Sequence, residues 1–98
     1  MRSFYSEYVS HCLRFYCRHQ KPNYFRSEAD RKNWQACDIA LSSFSDSDKE
    51  MLIEIYTEGD TIADNVYQLA KKRNIKQDRI WKLISELERK IAKRRNLI

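Results

Sequence analysis

The sequence predicts an all-α fold of about five helices, and three observations carry that expectation. A single Gly and a single Pro in 98 residues leave almost no material for tight β-turns. Lys, Arg, Glu, Leu and Ala, which lose little on entering a helix, are abundant. Apolar residues recur at intervals of three and four along most of the chain, the spacing of one helical face. The polar stretches at 20–27 and 42–47 are the expected interior boundaries. They divide the chain into an N-terminal helical pair over 1–44, read as a partner-binding or bracing segment, and a three-helix unit over 45–98.

In residues 3–20, Tyr5, Tyr8, Val9, Cys12, Leu13 and Tyr16 form one face, and Phe4 and Phe15 widen it. Such spacing assigns the aromatics to a core rather than to base stacking. Pro22 beside Asn23 should end this helix, since proline donates no backbone hydrogen bond and clashes with the preceding turn. Ser27 is the expected N-cap of the second helix, with Glu28 and Asp30 in its first turn where the helix dipole favours negative charge. Trp34, Cys37, Ala40, Leu41 and Phe44 are its apolar stripe, free to pack on the first helix or on the C-terminal half. Ser47 followed by Glu50 reads as a capping box opening a third helix to about residue 58, with Met51, Leu52, Ile55 and Tyr56 inward and Gly59 as a left-handed stop. Thr61 with Asp64 opens a fourth to about residue 73, with Ile62, Val66, Leu69 and Ala70 inward. A fifth is expected from Gln77 to Arg95, burying Ile80, Leu83, Ile84, Leu87 and Ile91.

The formal net charge of +5 is unevenly distributed: residues 1–44 carry +3, residues 45–70 carry −6 and residues 71–98 carry +8. Cationic charge gathered on one short segment marks a surface for a polyanion. No apolar run approaches the roughly 20 residues needed to span a bilayer, and the N-terminus lacks the layout of a secretory signal, so a cytoplasmic protein without a membrane partner is expected.

Two helices separated by about three residues form either a hairpin or a helix-turn-helix. The residues at the turn favour the second. Ala70 is small where two axes approach closely, Asn74 tolerates positive φ, and Ile75 follows as an apolar plug. The run Gln68-Leu69-Ala70-Lys71-Lys72-Arg73-Asn74-Ile75-Lys76-Gln77-Asp78-Arg79-Ile80 resembles the helix-turn-helix of sigma-factor region 4 and of the small phage regulators built on it. The resemblance reaches back through Ser45–Tyr56, similar to the family's acidic and aliphatic lead-in helix, and forward to Ile91, about half the chain. Residues 1–44 do not resemble the promoter-melting region of a full sigma factor. The resemblance implies a transcriptional regulator or sigma-like accessory factor that binds double-stranded DNA and works with RNA polymerase.

Whatever alternates with the buried positions of the last helix must face outward: Gln77, Asp78, Arg79, Lys82, Ser85 and Glu86, with Trp81 at the border. Gln77 is placed to pair with adenine and Arg79 with guanine. Lys76 and Lys82 are placed to neutralise phosphates, and Lys72, Ser85 and Arg89 complete the candidate DNA-binding set. Asp78 reads as a first-turn carboxylate that complements the helix dipole. Arg89, Lys90, Lys93, Arg94 and Arg95 make a basic end that suits the negative helix C-terminus and phosphate alike.

Cys12, Cys17 and Cys37 contain no CxxC pair, which argues against a disulfide framework or a zinc ribbon, and the spacing His11, Cys12, Cys17, His19 matches no common metal-ligand pattern. No cofactor is expected. With no Gly-rich phosphate loop and no convincing Ser/His/Asp set, the chain does not read as an enzyme. The competing reading is a protein-interaction module docking on RNA polymerase or another regulator. It rests on Ile80, Ile84, Leu87, Ile91 and Ile98, whose spacing approaches a heptad seam and leaves a homodimer open.

Overall fold

The computed structural model describes residues 4–18 and 25–98, and the described residues are all-α, in five helices. These are α1 (Ser6–Arg18), α2 (Glu28–Ser42), α3 (Asp46–Thr57), α4 (Ile62–Arg73) and α5 (Gln77–Arg94). The expected stop at Pro22 and Asn23 lies outside the described residues, as does His19. No described helix is long and apolar enough to cross a membrane.

Helix starts follow capping chemistry. Ser27 caps α2 by accepting from the Asp30 N–H at 3.2 Å, and Thr61 caps α4 by accepting from the Asp64 N–H at 3.1 Å. For α3 the cap is Ser45 rather than Ser47: its hydroxyl accepts from the Asp48 N–H at 3.2 Å. Starting there places two carboxylates, Asp46 and Asp48, in the first turn against the positive end of the dipole. The Ser47–Glu50 capping box is therefore not the start of the helix. Gly59 also differs from expectation. α3 ends through Glu58 in an extended conformation, and no glycine takes a positive φ.

One continuous core joins all five helices: Val9, Leu13 and Tyr16 from α1, Cys37 and Leu41 from α2, Leu52, Ile55 and Tyr56 from α3, Val66 and Leu69 from α4, and Ile80, Ile84, Leu87 and Ile91 from α5. Each helix alternative left open for the N-terminal pair is realised: α1 packs on α2 and also on α3 and α5, while α2 packs on α5. The helix α5 touches all four others, and α4 leans on α3 and α5. Leu83 and Ile62, expected inside, are only partly buried at the edge of this core. Phe4 does not widen the core face of α1; it precedes the first helical turn and is 84% exposed.

Polar ties fix the N-terminal pair. Tyr16 donates its hydroxyl to Asp38 Oδ1 at 2.7 Å and its ring meets Trp34 at 5.1 Å. Asn33 of α2 donates to the Tyr8 hydroxyl at 3.0 Å and accepts from Arg95 Nε at 2.6 Å, linking α1, α2 and the end of α5. Ser6 of α1 donates to Glu88 Oε1 of α5 at 3.1 Å, both buried.

The α3–α4 connection is held by side chains where a left-handed glycine was expected. Buried Asn65 points its amide at the carbonyls of Ile55 (2.8 Å), Asp60 (3.2 Å) and Glu58 (3.3 Å). From α1, Arg14 donates to the carbonyls of Glu58 at 2.7 Å and Asp60 at 2.6 Å. Carbonyls left over at a helix end need partners, and two charged or amide groups supply them here. Asn65→Ala is expected to lower stability by about 1–3 kcal/mol in urea denaturation, the cost of unsatisfied buried carbonyls. Gly59→Ala should be neutral within about 0.5 kcal/mol, because a Cβ there meets nothing within 4 Å.

Cys12, Cys17 and Cys37 are buried free thiols. Burial raises all three pKa values; Cys17 is pushed from 9.0 up to about 11, partly offset by a hydrogen bond with Thr57 and by Arg14. Desolvation likewise raises the Tyr16 phenol, reinforced by its bond to Asp38. A folded-state pKa above the unfolded value contributes stability that is complete below the unfolded pKa and is lost as pH rises through the folded one. Stability is therefore expected to hold to about pH 9 and fall above it, with Cys17 contributing between 9.0 and about 11 and Cys12, Cys37 and Tyr16 adding to the fall. Cys17→Ala should flatten that fall, as read by the melting temperature across the window; an unchanged slope refutes the assignment.

Candidate nucleic-acid interface

The site is organised by the break between α4 and α5. After Arg73 the chain enters Asn74 at φ 55° and ψ 48°, the left-handed region that asparagine tolerates better than other non-glycine residues. The carbonyl of Ala70 accepts from the N–H of Asn74 and also from the N–H of Ile75 at 3.0 Å. This closes α4 in the manner of a Schellman turn. Ile75 then packs at the edge of the core, which anchors the exit of the turn. Residues 62–94 are thus two helices with a sharp break and not one rod.

The structure places all seven sequence-predicted site residues on the surface: Lys72 at the end of α4, Lys76 before α5, and Gln77, Arg79, Lys82, Ser85 and Arg89 on α5. Ile80, Ile84, Leu87 and Ile91 turn the other way and are at most 1% exposed. At 100° per residue, Lys82, Arg89 and Lys93 fall almost on one line along the outer side of α5, with Ser85 beside it. Lys76, Lys82, Arg89 and Lys93 enter no ion pair among the described residues. Asp78, in the first turn, lines a shallow depression with Trp81, Lys82 and Ser85. Trp81 is half-buried, at the border where the periodicity put it.

The cations nearest α3 behave differently. Glu54 pairs with Lys72 at 3.6 Å and with Arg73 at 3.5 Å, and Asp48 approaches Arg79 at 3.9 Å. The acidic helix that precedes the motif thus holds its flank, whereas the outer line stays open. Exposed pairs of this kind contribute only about 0.2–1 kcal/mol each, so they orient side chains without locking them.

Unlike α2, α3 and α4, the start of α5 has no side-chain cap; Lys76 occupies that position with extended backbone, and its carbonyl accepts from the Arg79 N–H at 3.2 Å. First-turn N–H groups at such a start face solvent with the positive end of the dipole behind them.

Two structural residues are absent from the sequence reading. Arg14 lies on α1, far along the chain from the turn it braces, and no local spacing signals the contact. Glu88 interrupts an apolar face, four residues after Ile84 and three before Ile91, and that placement is the signal that marks it as inward-facing. The heptad-like seam proposed for dimerisation is spent inside the chain's own core, and of its members only Ile98 is exposed, at 53%. His11 is exposed while Cys12 and Cys17 are buried.

No family model, curated protein or solved structure matches the chain. The site is therefore read from its own geometry.

The left-handed turn is open to direct test. Asn74→Val is expected to cost about 1–2 kcal/mol, because a β-branched residue is strained at positive φ, whereas Asn74→Gly should stay within about 1 kcal/mol of the parent. Chemical denaturation of the two variants provides the comparison, and equal stability would contradict the turn geometry.

Proposed function

We propose that the protein binds double-stranded DNA as a transcriptional regulator or sigma-like accessory factor, with the first half of α5 lying in the major groove. The observation that carries this reading is the sharp turn at Asn74 followed by a helix whose inner side is apolar apart from Glu88 and whose outer side carries Lys82, Arg89 and Lys93 outside any ion pair among the described residues, with Asp78 and Glu86 beside them. The resemblance of residues 68–80 to the helix-turn-helix of sigma-factor region 4 supports it and names RNA polymerase as the second partner.

The division of labour follows from position. Lys82 and Arg89 on α5, Lys76 just before it and Lys72 at the end of α4 neutralise backbone phosphates, which fixes register without reading sequence. Gln77 and Arg79, in the first turn, meet base edges, with Gln77 suited to adenine and Arg79 to guanine. Ser85 adds a short hydroxyl contact further along. Arg79 must exchange Asp48 for the base. The exchange is favourable, because an exposed pair contributes about 0.2–1 kcal/mol and a bidentate guanine contact about 1–3 kcal/mol of discrimination. Asp78 keeps its place by complementing the helix dipole, beside the cation of Lys82.

Four phosphate contacts imply a log-log salt slope of about −3 to −4 for duplex binding. Lys82→Ala should weaken binding to all sequences alike and reduce the slope by about 1, while Arg79→Ala should cost about 1–3 kcal/mol of discrimination at one base position. Fluorescence anisotropy on a selected site and on mixed-sequence duplex measures both. Unchanged affinity and slope in both variants, with the helical circular dichroism intact, rules out α5 as the reading element.

A further inference from the structure

A second cationic surface lies at the opposite end of α5. Lys32, Gln35 and Ile39 of α2 face Arg94, Arg95 and Asn96 across a shallow basin of about 290 Å³. Three cations border it and no carboxylate does. The rim is set in place by backbone bonds: the N–H groups of Arg95, Asn96 and Leu97 donate to the carbonyls of Ile91 (3.0 Å), Lys93 (3.2 Å) and Ala92 (2.8 Å), with Asn96 turning at φ 59°. Arg95 is held by its bond to Asn33, whereas Arg94 and Lys32 enter no ion pair among the described residues.

Complementing the negative C-terminus of α5 accounts for Arg94 and Arg95 but not for Lys32, which sits in the second turn of a different helix. Glu28, one turn before Lys32, feels its charge but is itself paired with Arg31. The basin also contains an apolar element, Ile39, 44% exposed over the buried Ala36.

This surface is separate from the duplex-facing one. Arg94 and Arg95 lie roughly 18–20 Å along the helix from Lys82 and about 120–140° around it, at 1.5 Å and 100° per residue. Arg89 and Lys93 lie closer to them along the axis, within about one Debye length of roughly 8 Å, but point about 100–160° away around the helix, so the basin faces away from a duplex on the outer line. A phosphate backbone also offers nothing apolar to Ile39, whereas an acidic peptide carrying an aliphatic side chain matches both features.

We propose that the α2–α5 basin docks a short acidic segment of a partner protein, its carboxylates on Lys32, Arg94 and Arg95 and an aliphatic side chain on Ile39. The proposal is independent of DNA binding, and the two can fail separately.

The test uses the full chain and a capped peptide of glutamates around a central leucine, titrated by NMR and calorimetry, with mixed-sequence duplex as the second ligand. Peptide-induced shifts are expected at Lys32, Gln35, Ile39, Arg94 and Asn96. The double variant Lys32→Glu/Arg94→Glu should weaken peptide binding by about tenfold and change duplex affinity by less than about threefold. Ile39→Ser should weaken the leucine peptide but not an all-glutamate one. Shifts centred on residues 76–89, competition between duplex and peptide for the basin, or undiminished peptide binding by the double variant each overturn the proposal. So does a dimer that dissociates in the double variant, since the occupant is then a second copy of this chain.

Discussion

The carbonyl of Ala70 is the pivot of the molecule. It accepts two N–H groups, from Asn74 and Ile75, and in doing so ends α4 and redirects the chain within three residues. Without that turn the apolar face of α4 and that of α5 would continue along one rod, and Val66 and Leu69 could not share a core with Ile80 and Ile84. The left-handed conformation costs asparagine about 1 kcal/mol relative to glycine, an amount repaid by burying Ile75 at the exit of the turn and by the packing that follows. The outward display of Lys82 and Arg89 is the other consequence of the same bend, because a helix with one side committed to a core can only present the opposite side.

The N-terminal pair takes part in this arrangement at a distance. Arg14 reaches from α1 to the carbonyls after α3, Ser6 meets Glu88 in the middle of α5, and Asn33 bridges Tyr8 and Arg95. These contacts hold the lead-in helix, the middle of α5 and its C-terminal end against one scaffold. Such bracing bears on the proposed groove recognition, because side chains that read base edges must be positioned by elements that do not shift on contact. The helices of residues 1–44 are therefore integral to the core that carries the C-terminal motif, whatever further partner they meet.

Much of this was legible in the sequence, and the parts that were not share a physical cause. Apolar spacing located all five helices, Ser27 and Thr61 announced their caps, and Asn74 marked the turn, because each depends on neighbours within four residues. Ser45 was missed in favour of Ser47 since both precede a carboxylate at the right distance, and only the packing phase of Met51 and Leu52 discriminates between two starts that differ by half a turn. Gly59 was given a left-handed role by composition alone; the carbonyls it was meant to relieve are served by Asn65 and by Arg14, which is 44 residues from Glu58 in sequence. Buried Glu88 likewise gains its partner from Ser6, 82 residues away. Local pattern specifies helices and turns; long-range polar satisfaction specifies how they are pinned.

The charge pattern acquires direction from the fold. The acidic segment 45–70 is not merely a counterweight to the basic one, since Asp48 and Glu54 lie within 4 Å of Arg79, Lys72 and Arg73 and leave Lys76, Lys82, Arg89 and Lys93 unopposed. Net charge alone would draw any polyanion to any face. Carboxylates on one flank raise the cost of an approach from that side, because like charges brought together with phosphate are repelled, and they leave the outer line of α5 as the favoured approach. Of these carboxylates only Asp48 reaches Arg79, at 3.9 Å, and it restricts that side chain in the first turn of α5. A cation already aimed loses less side-chain entropy on binding than one recruited from free rotation, which at roughly 0.5–1.5 kcal/mol per immobilised side chain is comparable to the weak pair it gives up. In the proposed function Asp48 would work in two ways on one residue: it would compete with nucleic acid for Arg79, and it would prepare Arg79 for the contact that displaces it.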